Sequence, residues 1–188
     1  MSKTIDNLTA GQFDRAIIKC KDIFLKKMKD YGTAWRILRP SSLTDQIFIK
    51  AQRIRSIEEK KEQKINEGIE NEFIGIINYA AIALVQLQLP ATAPIELEQQ
   101  DAQHRLEKEF NTAKALMMDK NHDYGEAWRD MRVSSMTDLI LMKLLRIKQI
   151  EDNKGETIIS EGVDANYYDI INYAVFALIK LDEEKVNS

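Results

Sequence analysis

The sequence predicts an all-α protein made of two tandem copies of one helical unit. The phrase Asp-Tyr-Gly-x-Ala-Trp-Arg occurs at residues 30–36 and returns 93 positions later. Residues 30–58 align with 123–151 without a gap, and 17 of these 29 positions are identical. After a slip of one residue, 7 of 10 residues in 75–84 match those in 169–178. With only 7 Gly and 3 Pro in 188 residues, few positions interrupt a helix.

The first copy is predicted to hold three helices, over residues 9–29, 42–64 and 70–89. Apolar residues recur every three to four positions in the first of these, which is typical of a helix with one buried face. The last is apolar over most of its length, which indicates a helix at the centre of the fold. One or two further helical turns are predicted at 33–38.

Local signals set the predicted ends of these helices. Gly32 indicates a left-handed end to the first helix, because glycine has no Cβ to clash in that conformation. The segment 40–42, which begins with a proline, predicts a break. Ser42 or Thr44 is then expected to cap the second helix. A turn is expected at 66–68.

The second copy repeats this series of elements. Its predicted helices cover residues 96–121, 136–153 and 164–183, with Gly125 at the position of the first glycine break. A loop bounded by glycines is expected over 154–162.

Residues 90–97, with two prolines, form a linker-like segment between the copies. This divides the chain into a first copy at 1–89 and a second copy at 98–188. Units of this size bury a modest share of their surface alone. We therefore expect the copies to pack into one body, a bundle with pseudo-twofold symmetry.

Composition limits the classes of partner. The net charge of −3 argues against general nucleic-acid binding, which needs a basic surplus. The single cysteine, Cys20, excludes an intrachain disulfide, and we expect a buried thiol in a reducing, cytoplasmic compartment. We expect no signal peptide, because the first residues are polar, and no apolar run approaches the ~20 residues that span a membrane. Both a monomer and a homodimer are compatible with the duplication.

The repeated phrase has two interpretations. Tyr124 and Trp128 are four residues apart, so they share a helix face if the helix resumes at once. Together with Arg129 they would form a base-stacking platform with a phosphate-binding arm. The alternative, which the retention of the phrase in both copies favours, is a corner between helices. There the glycine turns the chain, the aromatic rings fill the core and the charged residues bridge.

A pair of cations is repeated inside an apolar helix. Lys143 and Arg146 are three residues apart, and Lys50 and Arg53 match them in the first copy. Buried cations need anionic partners, which are either protein carboxylates or the phosphates of a ligand.

The carboxylate available to this pair differs between the copies. Asp169 is the obvious partner in the second copy, whereas Gly75 stands at that place in the first. Either Glu72 substitutes for the missing acid, or Lys50 and Arg53 are free to bind a ligand.

Carboxylates and amides form a third group. Asp169 and Asn172 share one face of the last helix. In the helix before it, Asp138 lies near the start and Glu151 near the end. These acids could supply oxygen ligands to a divalent cation. Asn78 and Asn172 lie in apolar helices and must form hydrogen bonds, for which we expect them to pair across the pseudo-twofold axis.

These motifs resemble those of a known family. In order, Asp-Tyr-Gly-x-x-Trp, Thr-Asp-x-Ile, Lys-x-x-Arg-Ile and Asp-Ile-Ile-Asn-Tyr-Ala resemble the nucleotide-modification-associated helical family, found as single copies in phages and as duplications in bacteria. The resemblance covers both copies, nearly the whole chain. More distantly, the chain is similar to the MazG-like all-α nucleoside triphosphate pyrophosphatases, which implies a MazG-like helical bundle.

The MazG-like pattern implies Glu-x-x-Glu on one helix and Glu-x-x-Asp on the next, holding magnesium against a triphosphate. Asp169 stands at the final aspartate, but Asn166 replaces the glutamate before it. In the first copy Glu72 is present and Gly75 replaces the aspartate. The Lys-x-x-Arg pair occupies the place of Glu-x-x-Glu, which is compatible with direct phosphate binding by cations.

We therefore predict a nucleotide-binding protein whose catalytic form is a magnesium-dependent nucleoside triphosphate pyrophosphohydrolase. The second copy is favoured because it keeps Asp169. The alternative is a non-catalytic helical module in which the charged groups pair internally. The candidate residues are Asp169, Lys143 and Arg146 for catalysis, Tyr124, Trp128, Arg129, Asn172, Lys50 and Arg53 for ligand binding, and Asp169, Glu151 and Asp138 for Mg²⁺.

Overall fold

The computed structural model describes residues 2–60 and 68–187, with side chains from residue 8 onward, and all regular structure in these ranges is helical. The six α-helices are α1 (Ser2–Tyr31), α2 (Pro40–Lys60), α3 (Ile69–Gln88), α4 (Gln99–Tyr124), α5 (Val133–Asp152) and α6 (Val163–Asn187). Two short 3-10 turns, Ala34–Ile37 and Ala127–Asp130, follow α1 and α4. The predicted all-α fold is confirmed.

The helices pack with the symmetry that the duplication predicts. The equivalent helices α3 and α6 pack together, as do α2 with α5 and α1 with α4. Each remaining contact between two helices has an equivalent contact in which the copies are exchanged. Thus α2–α3 corresponds to α5–α6, α1–α6 to α4–α3, and α1–α3 to α4–α6. Exchanging the copies leaves this packing pattern unchanged, which describes a pseudo-twofold axis between α3 and α6.

The most apolar helices, α3 and α6, form the centre of the core. Burial of such apolar surface is the dominant favourable contribution to folding. The residues of these two helices with no exposed surface include Ile76, Ile77, Ala80, Ile170, Ile171 and Ala174.

Two equivalent hydrogen bonds join the copies through α2 and α5. The hydroxyl of Thr44 donates to Glu151 over 2.8 Å, and the hydroxyl of Thr137 donates to Glu58 over 3.0 Å. Both threonines are fully buried. Each copy therefore supplies a carboxylate acceptor for a hydroxyl of the other.

Several predicted helix ends differ from the structure. Gly32 and Gly125 have φ of 58° and 60°, so the predicted left-handed ends are confirmed. Pro40 does not break the chain but begins α2, because proline lacks an N–H and its φ suits the first helical position. Thr44 therefore lies inside α2, with its hydroxyl oxygen 3.1 Å from the carbonyl oxygen of Pro40. The predicted end of α2 at 64 and the Asn66–Glu67 part of the turn lie outside the described residues.

The two core asparagines do not bond to each other, so that prediction was wrong. Asn78 Nδ2 donates to the carbonyl of Cys20 over 2.9 Å, and Asn172 Nδ2 donates to that of Ala113 over 3.1 Å. Each amide thus fastens the last helix of its copy to the first, because backbone carbonyls of α1 and α4 lie within its reach. None of the helices in the described ranges combines the length and the hydropathy needed to cross a membrane.

Candidate ligand-binding site

The two aromatic residues of the second phrase lie in different environments. Tyr124 ends α4 and is 75% exposed, whereas Trp128 is 5% exposed. Gly125 and Glu126 both adopt left-handed backbone conformations, which turns the chain between the two rings. Trp128 stacks on Phe176 with ring centroids 4.2 Å apart and planes 4° from parallel. The helix does not resume at once, so the condition for Tyr124 and Trp128 to share a helix face is not met.

Arg129 joins the corner between α4 and α5 to α1 and α6 through hydrogen bonds. Its guanidinium donates to Glu126 over 2.7 Å and to Glu183 on α6 over 3.1 Å. It also donates to Thr9 over 2.7 Å and to Gln12 over 2.8 Å, both on α1. These contacts match the corner interpretation of the phrase.

Arg36 has the equivalent position in the first copy, and its guanidinium also forms several hydrogen bonds at a corner between helices. Its guanidinium donates to the carbonyl of Pro94 over 3.2 Å and to that of Ala93 over 3.0 Å. A further hydrogen bond joins it to Gln86 on α3. Arg36 thus holds the segment between the copies against the first corner.

Asp169 bridges two lysines on neighbouring helices. Its Oδ2 lies 2.6 Å from Nζ of Lys143 on α5, and its Oδ1 accepts a hydrogen bond of 2.5 Å from Lys120 on α4. The side chains of Asp169 and Lys143 are each 10% exposed. Burial by itself lowers the pKa of Lys120, but the hydrogen bond and the charge of Asp169 outweigh burial and raise it.

The three carboxylates predicted to bind magnesium are not brought together. Asp169 is held by its two lysines, and Glu151 accepts the hydrogen bond of Thr44. Asp138 is 63% exposed and lies 3.7 Å from Arg55. Among the described side chains, no three His, Cys, Asp or Glu residues are grouped to hold a metal ion. These residues therefore do not fit a shared magnesium site.

Arg146 lies on the exposed surface of α5 and makes no hydrogen bond or ion pair within the described part of the chain. It lines a groove of about 760 Å³ between the end of α5 and the loop that precedes α6. No aromatic side chain is among the described residues that line the groove. The groove therefore offers polar contacts but no stacking surface for a base.

Glu72 supplies the carboxylate that the first copy lacks at Gly75. It accepts a hydrogen bond from Arg53 and lies 3.5 Å from Nζ of Lys50. Of the two alternatives for the first-copy pair, substitution by Glu72 therefore holds for Arg53. The contact to Lys50 is long, and this lysine also faces a cavity.

This cavity, the first-copy cavity, lies among α1, α2 and α3 and has a volume of about 330 Å³. That volume is within the range of small-molecule sites, at its lower end. The lining residues are Ile23, Phe24, Lys27, Met28, Tyr31, Gly32, Trp35, Lys50, Asn71, Glu72, Ile74, Gly75, Asn78, Tyr79 and Ile82.

Aromatic rings and two lysines give the first-copy cavity its chemistry. Trp35 and Tyr79 are half-buried, and Tyr31 is 55% exposed. Burial, followed by the proximity of Tyr79 and Asp30, raises the pKa of Tyr31. Lys50 Nζ lies 5.8 Å from the ring centroid of Tyr79. A ring for stacking and an ammonium for an anion are thus close together.

Asn78 Oδ1 and Trp35 Nε1 are buried with no hydrogen-bond partner in the described part of the chain. The equivalent atoms of Asn172 and Trp128 are also unpartnered. Because both copies share this feature, it does not by itself mark a ligand site.

Several lining positions of the first-copy cavity differ in side-chain size from their second-copy equivalents, among them Ile74, which corresponds to Tyr168. Gly75 stands in the place of Asp169, and Ile82 in the place of Phe176. The lysines themselves are retained, since Lys27 corresponds to Lys120 and Lys50 to Lys143. In the second copy the acid binds both lysines and the ring of Phe176 stacks on Trp128.

Sequence reasoning missed most of this cavity. It selected Lys50 but neither Lys27 nor the aromatic group of Tyr31, Trp35 and Tyr79. The available signal was the replacement of Asp169 by Gly75, which left open that Lys50 and Arg53 are free to bind a ligand but did not indicate the aromatic lining.

Comparison with known proteins assigns the chain to a family. The family described as nucleotide modification associated domain 1 matches residues 27–87 and again residues 120–181. The two matches together cover more than half of the chain, and the chain belongs to this family as a tandem form. A search of curated proteins and a search of solved structures each returned no match. From Lys27 to Ile82, the lining of the first-copy cavity lies within the first match.

Proposed function

We propose that this protein binds a nucleotide in the first-copy cavity. One observation carries the proposal: Lys27 and Lys50 line a cavity with four aromatic residues, and the acid that bridges their equivalents is replaced by Gly75. The name of the family, which associates it with nucleotide modification, agrees with such a ligand.

The aromatic side chains are suited to a base. Purines and pyrimidines all have a flat π-face, and stacking on an aromatic side chain contributes about 1–3 kcal/mol per base. Trp35 is the largest ring in the cavity, and Tyr31 is its most exposed aromatic residue. We assign Trp35 to the base and the two tyrosines to the sides of the ligand.

The lysines are suited to the phosphate. Lys27 is exposed and makes no hydrogen bond or ion pair within the described residues. Lys50 has only the 3.5 Å contact with Glu72 and the ring of Tyr79 as polar neighbours there. Two lysines and one carboxylate, Glu72, thus belong to the described lining of the cavity, and Glu72 also accepts a hydrogen bond from Arg53. A phosphate close to Lys27 and Lys50 would balance them.

The resemblance to MazG-like pyrophosphatases adds a finer hypothesis, the magnesium-dependent release of pyrophosphate. Nucleotide-bound magnesium uses one or two protein carboxylates together with the phosphates. Glu72 is the only carboxylate in the described lining of this cavity, and it already accepts hydrogen bonds from Arg53 and Lys50. Our proposal therefore comprises binding and contains no hydrolytic step.

Fluorescence of a single tryptophan tests the proposal directly. The chain has two tryptophans, so Trp128→Phe leaves Trp35 as the only indole and keeps an aromatic ring beside Phe176. We expect saturable quenching when this variant is titrated with ribo- and deoxynucleoside triphosphates, with and without Mg²⁺. In the matched variant Trp35→Phe, the buried Trp128 should not respond.

Binding should also depend on the cavity lysines and not on their equivalents. Lys27→Met and Lys50→Met should each weaken binding by about tenfold, because a charged hydrogen bond contributes about 1.5–3 kcal/mol. Lys120→Met in the second copy should leave the affinity unchanged. Absence of quenching and of calorimetric heat with every nucleotide would refute the proposal. Release of pyrophosphate in the same samples would refute the absence of hydrolysis.

A further inference from the structure

We infer that the ligand of the first copy contains two groups, an anion and a planar ring, that take the places of two side chains in the second copy. These side chains are the carboxylate of Asp169 and the ring of Phe176, whose first-copy equivalents are Gly75 and Ile82. The inference rests on the proposed function, because it names the chemical form of the nucleotide and the residues that select it.

The first group is the anion. The carboxylate of Asp169 lies between Lys120 and Lys143, bonded to both. A Cβ built at the first-copy position, Gly75, would lie 2.9–3.2 Å from the end of the Lys50 side chain, so that side chain packs directly over the glycine. An anionic group of the ligand would take the place of the missing carboxylate between Lys27 and Lys50.

The second group is the ring. Trp128 has Phe176 stacked on it, and the guanidinium of Arg129 lies 4.3 Å from its ring centroid. Trp35 has neither a stacked ring nor a cation–π contact within the described part of the chain, and Ile82 lines its cavity. A planar ring of the ligand would take the place of the phenyl group beside Trp35.

The distance between the two positions defines the ligand further. Gly75 and Ile82 are seven residues apart on one helix, a rise of roughly 10 Å at 1.5 Å per residue. A ligand that reaches both positions must hold its ring and its anion on separate ends. A nucleoside 5′-phosphate meets this condition because a sugar separates base and phosphate. A free base or inorganic phosphate reaches only one position.

Filling the first-copy cavity tests the inference. Gly75→Asp and Ile82→Phe reproduce the second-copy residues, and each should reduce the affinity for a nucleoside triphosphate at least tenfold. Gly75 is helical, and the atoms that crowd its Cβ belong to the flexible end of Lys50, so the aspartate can be accommodated. Without nucleotide, both variants should melt above the wild type. Gly11→Asp and Ile18→Phe make the same two changes on α1 outside the cavity, so they are the matched controls and should retain binding.

Opening the second copy provides the reciprocal test. The double variant Asp169→Gly, Phe176→Ile should bind two nucleotides per chain in calorimetry, where the wild type binds one. If this variant does not fold, the filled variants still decide the question, because they are expected to be more stable than the wild type.

The outcomes separate this inference from the proposed function. A wild type that binds no nucleotide would overturn the proposed function, and the melting temperatures of the filled variants alone would then show whether the two side chains fill the cavity. A wild type that binds one nucleotide, with filled variants that bind it equally well, would overturn the inference. Inorganic phosphate or nucleoside that binds as tightly as the nucleotide would also overturn it.

Discussion

The rings of Trp128 and Phe176 lie face to face, with centroids 4.2 Å apart, whereas Trp35 shares a cavity with Ile82. The two tryptophans belong to the same repeated phrase, yet one is enclosed by protein and the other borders an open space. The environment of each tryptophan depends on a residue more than 40 positions further along the chain. The predictions that follow test this difference and the contacts that support it.

Truncation of the two tryptophans should have unequal effects on stability. We expect Trp128→Ala to lower the free energy of unfolding by about 3–5 kcal/mol, as is usual when a large buried side chain is removed. Trp35→Ala should cost clearly less, because this side chain is half-buried and borders a cavity. Urea denaturation of both variants measures the difference. Equal losses would contradict the contrast between the two sites.

Arg129 should not be replaceable by lysine. Its planar guanidinium donates to four side chains in different directions, which a lysine ammonium cannot reproduce. We expect Arg129→Lys to cost about 2 kcal/mol, on the scale of hydrogen bonds to charged groups. The exposed Arg132 provides the matched control, and Arg132→Lys should leave the denaturation midpoint unchanged. A midpoint for Arg129→Lys equal to that of the control would show that the corner does not need the guanidinium.

Removal of one member of the buried ion pair should lower the free energy of unfolding much more than removal of both members. Asp169→Leu alone should destabilise by about 3–5 kcal/mol, because it leaves the buried ammonium of Lys143 without its carboxylate. Addition of Lys143→Met should restore most of this loss, since Lys120 is 52% exposed and can be hydrated. Guanidinium denaturation of the two single variants and the double variant measures the coupling.

Asp22 serves as the surface control for that cycle. Its ion pair with Lys26 has both side chains more than half exposed, so Asp22→Ala should cost at most about 1 kcal/mol. A double variant at Lys143 and Asp169 that is no more stable than Asp169→Leu would contradict the expected compensation.

The acids that join the copies should make stability depend on pH. Burial raises the pKa of both Glu58 and Glu151, although the hydrogen bonds from Thr137 and Thr44 oppose it. A raised folded-state pKa favours the protonated form in the folded protein. Its stabilising effect is therefore complete below the unfolded-state pKa and is lost as the pH rises through the folded-state pKa.

The double variant Glu58→Gln, Glu151→Gln should therefore melt above the wild type at pH 7. Its amides can still accept the threonine hydrogen bonds without a buried charge. The advantage should shrink as the pH falls toward the ordinary glutamate pKa of about 4.3. Thermal melts between pH 4 and pH 8 measure it, with the exposed Glu59→Gln as the control. An advantage that is independent of pH would refute this explanation.

Cys20 should be unreactive in the folded protein. Its side chain is fully buried, and burial raises the pKa of its thiol to about 12. Since the thiolate is the reactive form, a thiol reagent such as DTNB should label Cys20 only as fast as the protein unfolds. Rapid labelling in buffer, at the rate seen in 6 M guanidinium chloride, would contradict the burial.

The sequence predicted the repeat, the six helices and the two left-handed glycines, because periodicity and glycine chemistry act over a few residues. It failed where the outcome depends on tertiary neighbours. The helical spacing of Tyr124 and Trp128 was overridden by two consecutive left-handed residues, one of them a glutamate. The first-copy cavity could not be predicted either. Ile82 and Trp35 line it together only because α3 packs beside the turn that carries Trp35.

The pseudo-twofold packing has a consequence for how such a site can diverge. In a homodimer of identical units, any substitution enters both halves, so a change that stabilises one cavity by filling it closes the other as well. A covalently joined pair is free of this constraint. Here one half can carry Asp169 and Phe176 as rigid fillings while the other keeps Gly75 and Ile82. Both copies pack into one hydrophobic core. The side chains that fill the second copy therefore also stabilise the first copy, which keeps its cavity.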